Sequence, residues 1–216
     1  MSKKNISQEK IIQAFLSSAF DKSAGATSLA DVADSLEIKK ASLYNHFESR
    51  EAMYDASVVY CSDQISKVEF LTQKIFESIT AGKTTAQAAL KKLISRYFSL
   101  FDSEPLFKMY VFVHTEQYFN AAALKIVQNQ IDKITEDIKT IFENFIKDKS
   151  DKEVKDLASA CTSIILQQLD SYIAARKETI RQNPETGAGS LFELPSDNNI
   201  INKAVKIVDV FVSSVI

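Results

Sequence analysis

Residues Lys39–Glu51 read K-K-A-S-L-Y-N-H-F-E-S-R-E. Leu43 and Phe47 stand one helical turn apart and are the inward residues of a short helix. Around them Lys39, Lys40, Ser42, Tyr44, Asn45 and His46 offer cations, hydroxyls, an amide and an imidazole, all able to touch phosphates or base edges. Just upstream, Leu29, Val32, Ala33 and Leu36 follow the i, i+3, i+4, i+7 spacing of a second short helix. Ser28 with Asp31 resembles a capping box at its start. Glu37-Ile38 makes the break, with Ile38 tucked inward to fix the angle. Two short helices meeting at a tight turn are the sequence form of a helix-turn-helix reader. Helices this short are unstable alone and must pack on their neighbours.

Working outward, residues 7–22 form a first helix with Ile12, Phe15, Leu16, Ala19 and Phe20 on one face. Gly25 is expected to supply the left-handed turn that follows. The third helix is expected over Lys40–His46. Ser49, Glu51 and Ala52 open a long fourth helix through Met53, Ser57 and Tyr60, expected to run on toward Ile79.

The string T-S-L-A-D-V-A-D-S-L-E-I-K-K-A-S-L-Y-N-H-F-E-S-R-E-A-M-Y, residues 27–54, resembles the N-terminal signature of the TetR/AcrR family of transcriptional regulators, over roughly residues 11–56. The L-Y-x-H-F-x-S-(K/R)-E core after T-S-x-x-D-(I/V)-A carries the likeness. The chain departs from that pattern at four places. Glu37 and Ala41 stand where glycine is frequent, Lys39 where a capping Ser or Thr is frequent, and Ser23 where a glycine precedes the second helix. Lys39 therefore leaves the third helix weakly capped. The resemblance implies DNA contacts from Thr27, Ser28, Lys39, Lys40, Ser42, Tyr44, Asn45, His46 and Arg50. Thr27 and Ser28 would meet a phosphate at the start of the second helix, and Arg50 would reach a phosphate or pair with Glu48 or Glu51.

Composition fits this reading without deciding it. Apolar residues make up 45% and charged residues 25% of 216, as in ordinary globular proteins. Only four Gly and three Pro occur, which favours long helices over many turns. The net charge is −2, and residues 1–58 hold seven Lys/Arg against eight Asp/Glu, so any basic face is local. Cys61 and Cys161 form no C-x-x-C pair and read as free thiols of a reducing cytoplasm. Lys3 and Lys4 precede no signal-like apolar run, and the apolar C-terminus, interrupted by Lys206 and Asp209, is too short for a membrane span.

Beyond Gly82, Thr85 can cap a helix carrying Ala89, Leu90, Leu93, Ile94, Tyr97, Phe98 and Phe101. Pro105 opens a segment dense in aromatics: Phe107, Tyr110, Phe112, Tyr118 and Phe119, read first as core. Leu124, Val127, Ile131, Ile134, Ile138, Ile141 and Phe145 then form a heptad-like seam, the expected spine of a bundle. A charged connection over Lys147–Lys155 leads to a helix through Cys161, Leu169 and Ile173. Pro184, Gly187, Gly189 and Pro195 mark a long irregular stretch before a last helix over Asn198–Val215.

These elements define an all-α chain: a three-helix helix-turn-helix domain (residues 1–48) joined by a long helix to a C-terminal helical bundle (residues 49–216). The two last helices are apolar over broad faces, which calls for a second subunit. Two-fold pairing also sets two recognition helices one DNA turn or a multiple apart, on a palindromic double-stranded operator. The expected protein is a cytoplasmic homodimeric regulator, a repressor by resemblance. Its C-terminal domain would bind a small apolar effector through Tyr97, Phe101, Tyr110, His114, Gln117, Tyr118 and Gln168, and the effector would release it from DNA. No His/Cys set at metal-ligand spacing and no catalytic signature occurs, so neither cofactor nor metal is expected. The alternative is a helical enzyme or partner-binding scaffold with a vestigial reader, which would show convergent charged groups in its pocket.

Overall fold

The computed structural model describes residues 6–186 and 195–216. Lys3, Lys4, Gly187 and Gly189 lie outside the described residues. Among those described, every regular element is helical: α1 (Gln8–Lys22), α2 (Leu29–Ser35), α3 (Lys40–Leu43), α4 (Arg50–Ser66), α5 (Gln73–Thr80), α6 (Ala86–Phe101), α7 (Leu106–Glu116), α8 (Ala121–Phe145), α9 (Asp151–Gln182), a 3₁₀ turn at Pro184–Thr186, and α10 (Asn198–Val215). The chain divides into two compact units, Met1–Lys67 with Pro105–Val127, and Val68–Glu104 with Gln128–Ile216.

In the first unit α1 packs on α2, α4 and α7. The apolar face read at the start of the chain is buried, from Ile11 and Ile12 to Phe15, Leu16, Ala19 and Phe20. Phe15 meets the rings of Tyr54 on α4 and Phe112 on α7 edge-on, with centroids 6.3 Å and 6.2 Å away. Phe20 meets Phe107 at 5.2 Å. These pairs add to simple area burial because edge-to-face rings satisfy each other's quadrupoles. The Tyr54 hydroxyl donates to Glu116 Oε2 at 2.8 Å, and burial together with that carboxylate pushes its pKa up to about 12.

In the second unit α10 packs on α6 and α9, and α5 and α9 also meet α6. Tyr97, Phe98 and Phe101 of α6 are buried, with Phe70 against Tyr97 and Tyr172 against Phe98. Three polar links cross this core. Gln130 Nε2 donates to the Tyr97 hydroxyl at 2.7 Å, Thr135 Oγ1 donates to Thr162 Oγ1 at 3.1 Å, and the Arg176 guanidinium pairs with Asp102.

Several boundaries differ from the sequence reading. The fourth helix does not continue toward Ile79: it ends at Ser66, and α5 is a separate helix from Gln73. The third helix closes at Leu43 rather than His46, because the amides of His46 and Phe47 both donate back to the Leu43 carbonyl and tighten the chain into a turn. The α8 seam holds at Val127, Ile134, Ile138 and Ile141, which are buried, and drifts elsewhere: Leu124 and Ile131 are each 40% exposed, while Ala123, Ile126 and Phe142 are buried beside it. A straight helix repeats every 3.6 residues, so a strict heptad count drifts around its surface. Tyr118 and Phe119, read as core, are 80% and 83% exposed because they follow the last turn of α7. The start of α9 falls within the expected charged connection, where Ser150 and Glu153 form a full capping box.

Candidate nucleic-acid interface

The α1–α2 turn sets the reader's first helix. Its left-handed residue is Ser23, at φ 79° and ψ 156°, and not Gly25. Ser23 follows directly on Lys22, the last residue of α1, so the reversal falls two residues before the glycine. That region of backbone space is essentially reserved for glycine, so a serine here stores strain. Neighbouring bonds over-determine the position: the Ser23 amide donates to Ala19 at 2.9 Å, and its carbonyl accepts the Thr27 hydroxyl at 2.9 Å. Thr27 is 1% exposed, so its hydroxyl faces inward and the expected phosphate contact from it is withdrawn.

Ser28 is exposed, and the expected capping box is formed. Its amide and hydroxyl donate to Asp31 Oδ2, each at 2.7 Å, while the Asp31 amide donates to Ser28 Oγ at 3.2 Å. Lys22 Nζ sits 2.5 Å from Asp31 Oδ1. Lys22 and these two Ser28 bonds hold the Asp31 carboxyl well below the usual carboxylate range. A phosphate approaching this end of α2 therefore meets a carboxylate before the helix amides.

Glu37 takes the second positive φ, 55°, at the α2–α3 turn where the resemblance expects glycine. Its left-handed geometry lets the Ile38 amide return to the Ala33 carbonyl at 3.0 Å, a helix-closing bond. Lys39 caps α3 with no side-chain bond, as its residue type implies. Its ammonium is therefore not used in the cap.

Around α3, its N-cap Lys39, Lys40 in its first turn, and Tyr44 and Asn45 in the turn that follows are exposed, with Ser42 and His46 half-buried and Leu43 and Phe47 buried beneath. The Tyr44 ring is 51% exposed, a large aromatic surface beside two lysines. The His46 carbonyl accepts Gln8 Nε2 at 3.1 Å, which ties the turn after α3 to the start of α1. No pattern in the sequence pointed to Gln8, since the bond joins residues far apart in the chain.

Arg50 does not extend outward. Its Nε donates to the Thr27 carbonyl at 2.7 Å, its Nη2 donates to the Ala24 carbonyl, and Nη1 lies 3.8 Å from Glu51 Oε1. The pairing with Glu51 was legible in the sequence; the two carbonyls were not.

The expected effector residues fall in both units. Tyr97, Phe101 and Gln168 belong to the second, where Tyr97 and Phe101 are core and Gln168 donates to Gln167 on the surface of α9. Tyr110, His114, Gln117 and Tyr118 belong to the first, where the Tyr110 and His114 rings stack at 3.8 Å and Gln117 Nε2 donates to the His114 carbonyl at 2.7 Å. The second unit holds a cavity of about 350 Å³ between α6 and α10, floored by Leu90, Ile94 and Val208, and another of about 500 Å³ beside Tyr172, Arg176 and Ser196. None of the seven residues lines either one. Among the described residues no cluster of three His, Cys, Asp or Glu could hold a metal ion, and no helix is long and apolar enough to cross a membrane.

The geometry defines a class: a helix-turn-helix reader with an exposed cationic and aromatic face, carried by an all-helical chain. Residues 11–57 match the sequence profile of bacterial regulatory proteins of the tetR family. It is similar to the biofilm operon icaADBC HTH-type negative transcriptional regulator IcaR of Staphylococcus aureus, 38% identical over 66 residues, or 31% of this chain. That match spans about a third of the relative's length, 36%. Solved structures share the fold across nearly the whole chain. A TetR transcriptional regulator from Legionella pneumophila is 19% identical with a TM-score of 0.53, covering 95% of this chain and 97% of its own. A transcriptional regulator from Rhodococcus sp. Rha1 is 11% identical with a TM-score of 0.58, covering 97% of each.

Proposed function

We propose that this protein is a cytoplasmic, homodimeric DNA-binding transcriptional repressor, released from a palindromic operator by a small apolar effector. The observation that carries the reading is the face built around α3: Lys40 on the helix, Lys39 at its N-cap, and Tyr44 and Asn45 in the turn that follows stand exposed, over the buried Leu43 and Phe47. A helix so placed enters a major groove, where lysines neutralise phosphates, Asn45 can read adenine and Tyr44 lies along the sugars. Ser42 and His46 flank them at the groove wall. Repression is favoured by the likeness to a negative regulator in the reader segment.

A division of labour at residue 48, with reading before it and effector binding and dimerisation after it, goes with this proposal. Dimerisation is supported by α10, whose outward side carries Ile207 and Val210 at 36% and 74% exposure. For the effector, Tyr97 and Phe101 are the best-supported of the seven residues. They are buried apolar surface with one polar handle, the Tyr97 hydroxyl bonded to Gln130. The effector acts only through a difference in its affinity for the DNA-competent and the released conformations.

The test is binding of the full-length chain to duplex DNA from upstream of its own gene across a salt series. Lys40→Ala should weaken binding to every sequence and reduce the salt slope by about one. Failure of the wild-type chain to bind any duplex at low salt ends the proposal. A strict monomer at micromolar concentration in sedimentation ends its dimeric part.

A further inference from the structure

We infer that Arg50 is a positioning residue for the reader, which clasps the α1–α2 turn to the start of α4, and that it is not a phosphate ligand. The inference rests on the proposed DNA-binding reading and deepens it.

The turn over residues 23–28 is held at its ends by the Ser23 amide on the Ala19 carbonyl and by the Ser28–Asp31 capping box. Between them it has one backbone bond, from the Thr27 amide to the Ala24 carbonyl at 3.2 Å, and the inward Thr27 hydroxyl on the Ser23 carbonyl. Arg50 supplies the remainder. One guanidinium edge takes the carbonyls of Ala24 and Thr27 together, through Nη2 and Nε. A planar fork suits two acceptors held at fixed spacing, and an ammonium does not. The guanidinium also lies 6.0 Å over the Phe15 ring of α1, so one side chain at the first residue of α4 touches α1 and the entry to α2 at once. Its side chain is 28% exposed and its third nitrogen leans toward Glu51, so the edge that holds the two carbonyls faces the protein.

The consequence concerns geometry more than charge. α2 packs on α3, so fixing the turn before α2 fixes the angle at which α3 leaves α4. With Arg50 in place, a displacement of the start of α4 carries α2 and α3 with it.

The experiment compares wild type, Arg50→Gln, Arg50→Lys and, as a phosphate-contact control, Lys40→Ala, all in the full-length chain. Duplex affinity is measured across a salt series, and amide exchange of residues 24–28 is measured without DNA. Arg50→Gln should weaken binding about tenfold at every salt concentration with the salt slope unchanged. Its Thr27 amide should exchange about tenfold faster than wild type. Arg50→Lys keeps the charge, loses one of the two carbonyls, and should not recover wild-type affinity. A slope reduced by about one in Arg50→Gln makes Arg50 a phosphate ligand and overturns the inference. Full affinity in Arg50→Lys, or unchanged Thr27 exchange in both variants, overturns it as well. If wild type binds no duplex, the DNA-binding proposal fails by itself, while the exchange measurement still decides whether the clasp exists.

Discussion

Arg176 Nε on α9 lies 2.5 Å from Asp102 Oδ1 at the end of α6, with side chains 11% and 2% exposed. Ser196 donates its hydroxyl to the other Asp102 oxygen, and Arg176 Nη1 donates to the Pro195 carbonyl at 3.1 Å, so the pair also anchors the entry to α10. Such a pair loses most of its hydration on folding, and its net worth against an apolar substitute is small. Its cost when broken is large, because one charge is left buried alone. Arg176→Met should lower unfolding free energy by about 3–5 kcal/mol. The double variant Asp102→Leu with Arg176→Met should recover most of that loss. Urea denaturation of the two variants decides it: equal destabilisation would show that the pair is not coupled.

Ser23 gives a prediction of opposite sign. Relief of its left-handed strain by Ser23→Gly should stabilise the chain by about 1 kcal/mol, the strain released less the greater freedom of an unfolded glycine. Gly25→Ala, in open space and with no positive φ, should be tolerated or slightly stabilising. Thermal melts of the two variants test which residue makes the turn. A destabilised Ser23→Gly would contradict the assignment.

Acid should weaken the fold through two exposed carboxylates of α9, one in its capping box and one paired near its end. Ser150 holds Glu153 below its ordinary value of 4.5, and Arg181 with Gln182 holds Glu178 down to about 2. Between those lowered values and the ordinary one, the unfolded chain binds more protons than the folded chain. Their contribution is therefore present above about pH 4.5 and is lost as the pH falls through the folded-state values. Asp137 works the other way: burial raises its pKa, so its contribution favours the folded chain at low pH and fades as the pH rises through the raised value. Glu153→Gln should flatten the acid limb of a stability–pH curve. An unchanged limb would remove the capping box from this account.

The two thiols should be silent in the folded chain. Cys61 and Cys161 are both fully buried, and burial pushes each pKa up to about 12, which leaves almost no thiolate at neutral pH. Titration with a chromogenic disulfide should count no fast thiol in native protein and two in denaturant. A fast native thiol would show an opening that exposes α4 or α9.

What the sequence disclosed was mostly local. The Ser28–Asp31 capping box, the Thr85 cap of α6, and the inward pair Leu43 and Phe47 all depend on residues three or four apart, and periodicity reads such spacing directly. Ser23 reads in the sequence only as a missing glycine, and the turn is assigned there to Gly25, because glycine is the default residue for a left-handed turn and nothing in the residue type marks a serine that adopts one. The hold of Arg50 on the α1–α2 turn was not legible because its acceptors are backbone carbonyls, which carry no residue-type signal. Tyr118 and Phe119 show the same limit from another side, since aromatic content predicts burial only on average.

The first compact unit has a further meaning for the growing chain. Phe15, Phe20 and Tyr54 find ring partners on α7, in Phe107 and Phe112. During synthesis the N-terminal helices emerge first, yet the unit they belong to is closed only when the chain has been made through Val127. A fragment released at Lys67 would carry the entire recognition surface on a half-built foundation, with its aromatic face open to water. The reader is thus not a detachable module. The ribosome must finish more than half of the chain before this unit can close.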